Sequence, residues 1–453
     1  MTRWLVLVFA ISAFLTAGSA SAQVKVTPLD FHERTLANGL KVLSIVDHAS
    51  PTVSVQVWYK VGSKDDPEGR SGFAHLFEHM MFKSTKNMPA EKFDRLTEDV
   101  GGYNNASTYD DYTNYYELVP SNYLETLLWA EAERMANLTV DDAVFKSERD
   151  VVKEEFRFRI LSQPYGRLFY LIDKLSFTTH PYKRPGIGSI EELDAASVTD
   201  VRSFFRTFYR PDNATLIVSG DLDQKQFDAW VDKYFGRIAK PTAAIPRVTV
   251  TEPDRTESKR FTEYSPIAPL PAVAITYLAP PASSDDATAL DLAETILSGG
   301  ESSRLYKSLV YDQQLAQNAF SNSDTREDRG SFLLAAILAN DKKPVDAEFA
   351  LLAELRKMQD APVTDAELSK AKNQLVTSTL QGRETNDGKA SALAYAAVML
   401  RDPARVNTDI ARLQAVTAAD IQRVMKKYFT EDNRVVIYYL PESMRANAGG
   451  KGQ

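Results

Sequence analysis

Apolar positions along the chain follow two periods, and the two periods alternate in the same order twice. Two-residue alternation marks strands at Val53-Ser54-Val55-Gln56-Val57, at Thr113 to Val119 and at Val273-Ala274-Ile275-Thr276-Tyr277. Spacing of three to four residues marks amphipathic helices from Val198-Thr199 through Phe208-Tyr209 and from Val416-Thr417 through Tyr428-Phe429. Each of these helices leads into an Asp-Asn pair (Asp212-Asn213, Asp432-Asn433) and then a strand, Ala214 to Val218 and Arg434 to Tyr438. All three matches share an offset of 218 to 220 residues, so the chain reads as two copies of one unit. Between the copies, residues 240–258 (KPTAAIPRVTVTEPDRTES) are rich in Pro, Thr and charge and read as a linker. Strands clustered early in each copy and followed by helices predict an α+β fold. It has two homologous domains, 23–239 and 259–453, each a mostly antiparallel sheet packed by helices.

Residues 1–22 break this pattern. Arg3, an apolar stretch from Trp4 to Leu15 and the closing Ala20-Ser21-Ala22 form a secretory signal peptide with its cleavage site. That stretch is short for a membrane span, which needs about 20 apolar residues, and no later segment reaches that length. The expectation is export, with cleavage moving the net charge from -8 to -9 because Arg3 is the only charged residue lost. An acidic balance of 53 Lys+Arg against 61 Asp+Glu argues against nucleic acid as a ligand. The chain has no Cys, which excludes disulfides, thiolate metal sites and cysteine nucleophiles. Histidine chemistry is confined to His32, His48, His75, His79 and His180.

Two of those five histidines fall in one apolar helix, 72–82, as His75-Leu76-Phe77-Glu78-His79. At i and i+4 both imidazoles project from one face, where they can share one Zn²⁺ at roughly 2.0–2.1 Å. Glu78, at i+3 from His75, leans over the same face and can reach a water at the metal without being a ligand; this H-x-x-E-H order is the inverted zincin signature. The corresponding helix of the second copy, Ala289 to Leu297, contains no His, so the scaffold repeats without its chemistry. A catalytic zinc needs a third protein ligand. The helix 139–160 offers Glu148, Glu154 and Glu155; Glu148 and Glu155 share a face and Glu154 points about 100° away. Spacing alone does not choose among them.

The motifs TLANGLKV (35–42), GSKDDPEGRSGFAHLFEHMMFKST (62–85), GGYNNASTYDDYTNYY (101–116), ERDVVKEE (148–155) and HPYKRPGIGSIEEL (180–193) resemble those of the pitrilysin/insulinase zinc peptidases. The likeness is to bacterial members related to the mitochondrial processing peptidase, and it covers essentially the whole chain after residue 22. The resemblance implies one Zn²⁺ per chain held by His75, His79 and Glu155, 76 residues beyond His79, with Glu148 as a supporting acid and Glu78 as general base. It further implies that Asn105 and Ala106 lie on an edge strand that pairs with the substrate backbone. His180 reads as structural, and His32 and His48 receive no role.

One departure stands out. Active relatives carry an Arg and a Tyr seven residues apart after an S-R-L-[YF] element, which is present here as Ser303-Arg304-Leu305-Tyr306. Val310 and Gln317 occupy the Arg and Tyr positions, and neither can stabilise an oxyanion as that pair would. The expectation is the zinc-bearing half of a heterodimer whose metal-free paralogue supplies the pair, with a homodimer as the alternative. Relatives assemble four such domains into a clamshell that admits short or unfolded peptides. The function expected is an exported, periplasmic zinc endopeptidase; the competing reading is a non-catalytic peptide-binding or assembly subunit. Export to the medium is the alternative location.

Overall fold

The computed structural model describes residues 26–448; the signal segment expected at 1–22 lies outside the described residues. In the first copy six strands form one sheet. They are β1 (His32–Thr35), β2 (Lys41–Val46), β3 (Thr52–Tyr59), β4 (Tyr103–Thr108), β5 (Thr113–Pro120) and β6 (Ala214–Gly220). Eight helices accompany them: α1 (Phe73–Met80), α2 (Lys92–Glu98), α3 (Leu124–Asn137), α4 (Asp142–Phe156), α5 (Gly166–Ser176), α6 (Ile190–Asp194), α7 (Val198–Phe208) and α8 (Gln224–Tyr234). The second copy has β7 (Lys259–Ser265), β8 (Ala272–Ala279), β9 (Ala316–Asp324), β10 (Gly330–Leu338) and β11 (Arg434–Pro441). Its helices are α9 (Asp285–Ser298), α10 (Pro344–Asp360), α11 (Asp365–Gly382), α12 (Asn386–Val398), α13 (Arg405–Ala415), α14 (Ala418–Tyr428) and α15 (Ser443–Ala448).

The strand orders are β1-β2-β6-β3-β5-β4 and β7-β11-β8-β10-β9. They coincide apart from the additional edge strand β1. In each sheet one pair is parallel, β2 with β6 and β7 with β11, and every other pair is antiparallel. The repeat extends to helix caps. Ser197 with Asp200 and Thr417 with Asp420 form the same reciprocal box at the starts of α7 and α14. Asn105 and Ala106 lie on β4, an edge strand of the first sheet.

Strand alternation gives each sheet two buried faces. In β3, Val53, Val55 and Val57 join the core built on α1, α3, α7 and α8. On the opposite face, Trp58 packs with Leu43, Ile45 and Ile217 against Ala390, Leu393 and Ala394 of α12, a helix of the second copy. The exchange is reciprocal: Leu168 and Ile172 of α5 pack on Ala272, Ala274, Val435 and Ile437 of the second sheet. Chain order therefore separates the sheets but not the packing. Residues 240–258 contain no helix or strand, yet they are fastened down. Both Glu252 carboxylate oxygens accept backbone amides, from Thr178 at 2.8 Å, Thr179 at 2.9 Å and His180 at 2.8 Å.

Two charged clusters lock the arrangement. Arg326, between β9 and β10, reaches across to Asp110 at 3.2 Å and Asp173 at 2.6 Å, both in the first copy, and lies over the rings of Phe177 and Tyr182. Lys64 bridges Asp111 at 2.8 Å and Glu327 at 2.6 Å. Inside the first copy Arg134 is fully buried between Glu117, at 2.9 Å, and Glu131, whose Oε2 accepts its Nε at 2.8 Å. Removing one member of a buried ion group leaves uncompensated charge, whereas replacing the whole group with apolar equivalents is often neutral. Arg134→Ala should therefore cost about 3–5 kcal/mol in denaturant unfolding. Replacing Arg134, Glu117 and Glu131 together with Met, Leu and Leu should recover most of that loss; no recovery would mean the loss is one of packing alone.

Candidate metal centre

α1 has an unusual start. Gly72 caps it at φ 89°, and the carboxylate of Asp66 accepts the Gly72 amide at 2.7 Å and the Ala74 amide at 2.8 Å. Asp66 thus satisfies amides that the first turn would otherwise leave unpaired. Burial pushes its carboxyl up to about 8, against the opposing pull of the two amides. Gly188 (φ +77°) abuts the same point: a Cβ there would sit 2.3 Å from Ser71 O, and one on Gly72 would sit 2.7 Å from Ile187 O. Gly188 and Gly72 thus meet only because neither carries a side chain, which seats the helix against the loop.

On α1, His75 and His79 face α4. His75 Nε2 lies 3.6 Å and His79 Nε2 3.4 Å from Glu155 Oε2, and the three donor atoms lie within 4.8 Å of one another. A tetrahedral zinc with legs of about 2.0–2.1 Å would hold its ligand atoms roughly 3.3–3.4 Å apart. The two imidazoles and one carboxylate fit that ion in type and in spacing. Glu148, one α4 face with Glu155, has Oε2 3.8 Å from His79 Nδ1 and Oε1 3.0 Å from Lys83 Nζ. Glu154 points away and pairs with Arg157 in solvent. His75 Nδ1 is buried without a protein partner.

The charges of the group are strongly skewed. Burial, reinforced by the neighbouring His79, lowers His75 to about 4. Burial also opposes charge on His79, but Glu148, Glu155 and Glu78 overcome it and raise His79 to about 9. Burial raises Glu78 above the usual carboxylate range, although the Thr108 hydroxyl donates to its Oε2 at 2.6 Å. The hydrogen bonds from His79 hold Glu155 low. Beyond α4 the chain widens into a π-helical turn, Arg157–Leu161, whose Arg159 reaches Glu155 Oε1 at 3.0 Å. Such turns occur often at functional sites.

These groups line a cleft of about 920 Å³ whose other wall is β4, including Asn105 and Ala106. β4 is the free edge of its sheet. The Ala106 amide is held at 2.8 Å by the side-chain oxygen of Asn105, which occupies the hydrogen-bonding position a further strand would take. Thr108, Lys83 and Arg159 were not singled out from the sequence. Their contacts join residues 30 apart (Thr108 and Glu78) or depend on a helical register that spacing cannot rank. Val310 is half-buried beside the second core and Gln317 is exposed on β9; neither borders the cleft. His180 is fully buried, with Nδ1 accepting the Tyr182 amide at 3.2 Å. His48 pairs on the surface with Asp221 at 2.7 Å, and His32 is exposed on β1.

Comparison with known proteins gives a consistent picture. The family model described as Insulinase (Peptidase family M16) matches residues 41–164, and that described as Peptidase M16 inactive domain matches 195–375. The zinc protease PqqE of Helicobacter pylori is 30% identical over 410 residues, 90% of this chain and 92% of that protein. An uncharacterized zinc protease of Mycobacterium leprae is 31% identical over 368 residues, covering 79% and 80% of the two chains. Among solved structures, a protease from Helicobacter pylori superposes with a TM-score of 0.89 at 30% identity, covering 92% of this chain and all of that one. The first half of the periplasmic protease PqqL from Escherichia coli shares the fold, with a TM-score of 0.74 at 20% identity, over 93% of this chain and 95% of that one.

If the Ser71–Gly72 and Ile187–Gly188 contact seats α1, Gly188→Ala should destabilise the protein more than Gly69→Ala. Both glycines have positive φ, which costs roughly 1–2 kcal/mol for a side chain, but nothing lies within 4 Å of a Cβ at Gly69. Equal shifts in thermal unfolding would remove the seating role.

Proposed function

The chain belongs to the insulinase (M16) peptidase family, and on that premise we propose that it is a zinc-dependent endopeptidase acting on peptides or unfolded segments. The observation that carries this reading is the convergence of His75, His79 and Glu155, with donor separations of 3.4 and 3.6 Å, beside the acid Glu78. In that reading His75, His79 and Glu155 hold one zinc per chain. The bound ion would polarise the scissile carbonyl and lower the pKa of water. Glu78 then takes a proton at Oε1, since Oε2 already accepts the Thr108 hydroxyl, and passes it to the leaving amine. Its burial supports this role, because a carboxylate whose pKa is raised is a stronger base than an ordinary one and takes a proton from water more readily. Glu148, fixed by Lys83, orients His79. The free edge of β4 at Asn105 and Ala106 pairs with an extended substrate, with main-chain hydrogen bonds that ask little of its sequence.

The proposal includes export through residues 1–22 to the periplasm, with the medium as the alternative. It also includes a partner. With Val310 and Gln317 where active relatives have Arg and Tyr, we propose that a metal-free paralogue completes the site in a heterodimer, a homodimer being the alternative.

Purified chain should bind one zinc, and chelation should abolish cleavage of an unstructured quenched-fluorescence peptide. Glu78→Gln should keep the zinc and lose about 10²–10⁴-fold in turnover; undiminished turnover would remove Glu78 from its role. Mixing with a paralogue that carries the Arg/Tyr pair should raise activity. Full activity of the chain alone would remove the need for that partner.

A further inference from the structure

A second cavity, of about 570 Å³, lies on the other face of β4 from the metal cleft. Ser107 and Tyr109 border both. The far wall comes from the second copy, at the turn between α11 and α12, and includes Arg383. The near wall is aromatic, with Tyr112 stacked between Trp58 at 4.4 Å and Tyr109 at 4.7 Å. Its two charged residues differ in one respect. Asp387 is already engaged, accepting from Ser54 at 3.0 Å and Gln56 at 3.0 Å. Arg383 is half-buried and, among the described residues, has no carboxylate within 4.0 Å and no side-chain hydrogen bond; its Nε is buried without a partner. Asp409 acts on it only from beyond contact distance.

A guanidinium partly removed from water and left unpaired is costly unless a ligand completes it. Its planar donor array matches a carboxylate. Strand geometry says which group could supply one. Side chains alternate across a strand, and residues facing each other on paired strands share a face. On β4, Ala106 joins the core beneath α1 and Thr108 contacts Glu78, whereas Ser107 opens into the second cavity. A peptide residue paired opposite Ser107 would therefore project toward Arg383 while its two neighbours face the metal side.

We propose that this cavity is a specificity subsite that receives an acidic side chain, Asp or Glu, of the substrate, close to the scissile bond, with Arg383 as its ionic partner. The second copy, which has no metal ligands of its own, would then set sequence preference for the first. The inference rests on the peptidase reading and on pairing at β4.

The test uses the full chain and end-blocked unstructured peptides that carry Glu, Gln, Phe or Lys in turn at each position around the cut. Binding to the Glu78→Gln variant is measured by fluorescence anisotropy, and turnover by the chain without that substitution. At one position Glu should bind about tenfold or more tighter than Gln, as expected for a hydrogen-bonded charge. Arg383→Gln, in the Glu78→Gln background, should bring that ratio near one. Arg383→Glu should shift the preference to Lys, a gain that a misfolded variant could not show. A Glu/Gln ratio near one at every position, a preference for Phe, or a ratio unchanged in Arg383→Gln would overturn the subsite. Loss of turnover with the binding preference intact would instead count against the peptidase reading alone.

Discussion

A sheet has two faces, and in this protein each copy's own helices cover only one of them. The exchange of α5 and α12 resolves that constraint, since each copy places a helix on the other's remaining apolar face. Much else follows from it. The turn joining β4 to β5 lies where the copies meet, so its Asp110 and Asp111 can be fixed by Arg326 and Lys64. The edge strand that borders the metal cleft is thereby anchored at one end by contacts from the other copy. The cavity at Arg383 exists for the same reason, because one wall comes from each copy.

The two copies keep the scaffold and divide the chemistry. In the first, α1 directs His75 and His79 at Glu155 on α4. In the second, α9 carries Asp291 and Glu294, and the Ser323 amide on β9 donates to Glu294 at 3.2 Å. Burial raises Asp291 to about 7 and lifts Glu294 as well. Two acids whose charged form burial disfavours, with no imidazole beside them, make a poor zinc site. A strand order shared apart from β1 therefore coexists with different site chemistry, since strand pairing depends on the backbone and metal binding on a few side chains.

Most of the charges that structure this protein are held far from their sequence neighbours. Glu252 closes over the 178–180 amides across more than 70 residues, and Arg326 reaches Asp173 across 153. A segment that composition marks as a linker is therefore a structural strap. Proline and charge predict the absence of helix and strand in 240–258, but not the absence of contacts. The same holds at the metal cleft: the acid partner of Lys83 and the hydroxyl partner of Glu78 come from elements that spacing does not bring together.

By itself, the sequence determined the duplicated α+β architecture, because strand and helix periods and the cap residues are local and recur at a fixed offset. It also made His75, Glu78 and His79 recognisable, because one helical turn places them on one face. It narrowed the third candidate ligand to one helix, and there a family likeness, not spacing, separated Glu155 from Glu148 and Glu154. Tertiary structure alone decided that α5 and α12 trade sheets, that Thr108 meets Glu78 and that Arg383 faces a cavity unpaired. Those outcomes turn on which surfaces remain uncovered once both sheets have formed, a property of packing in three dimensions that no local pattern carries.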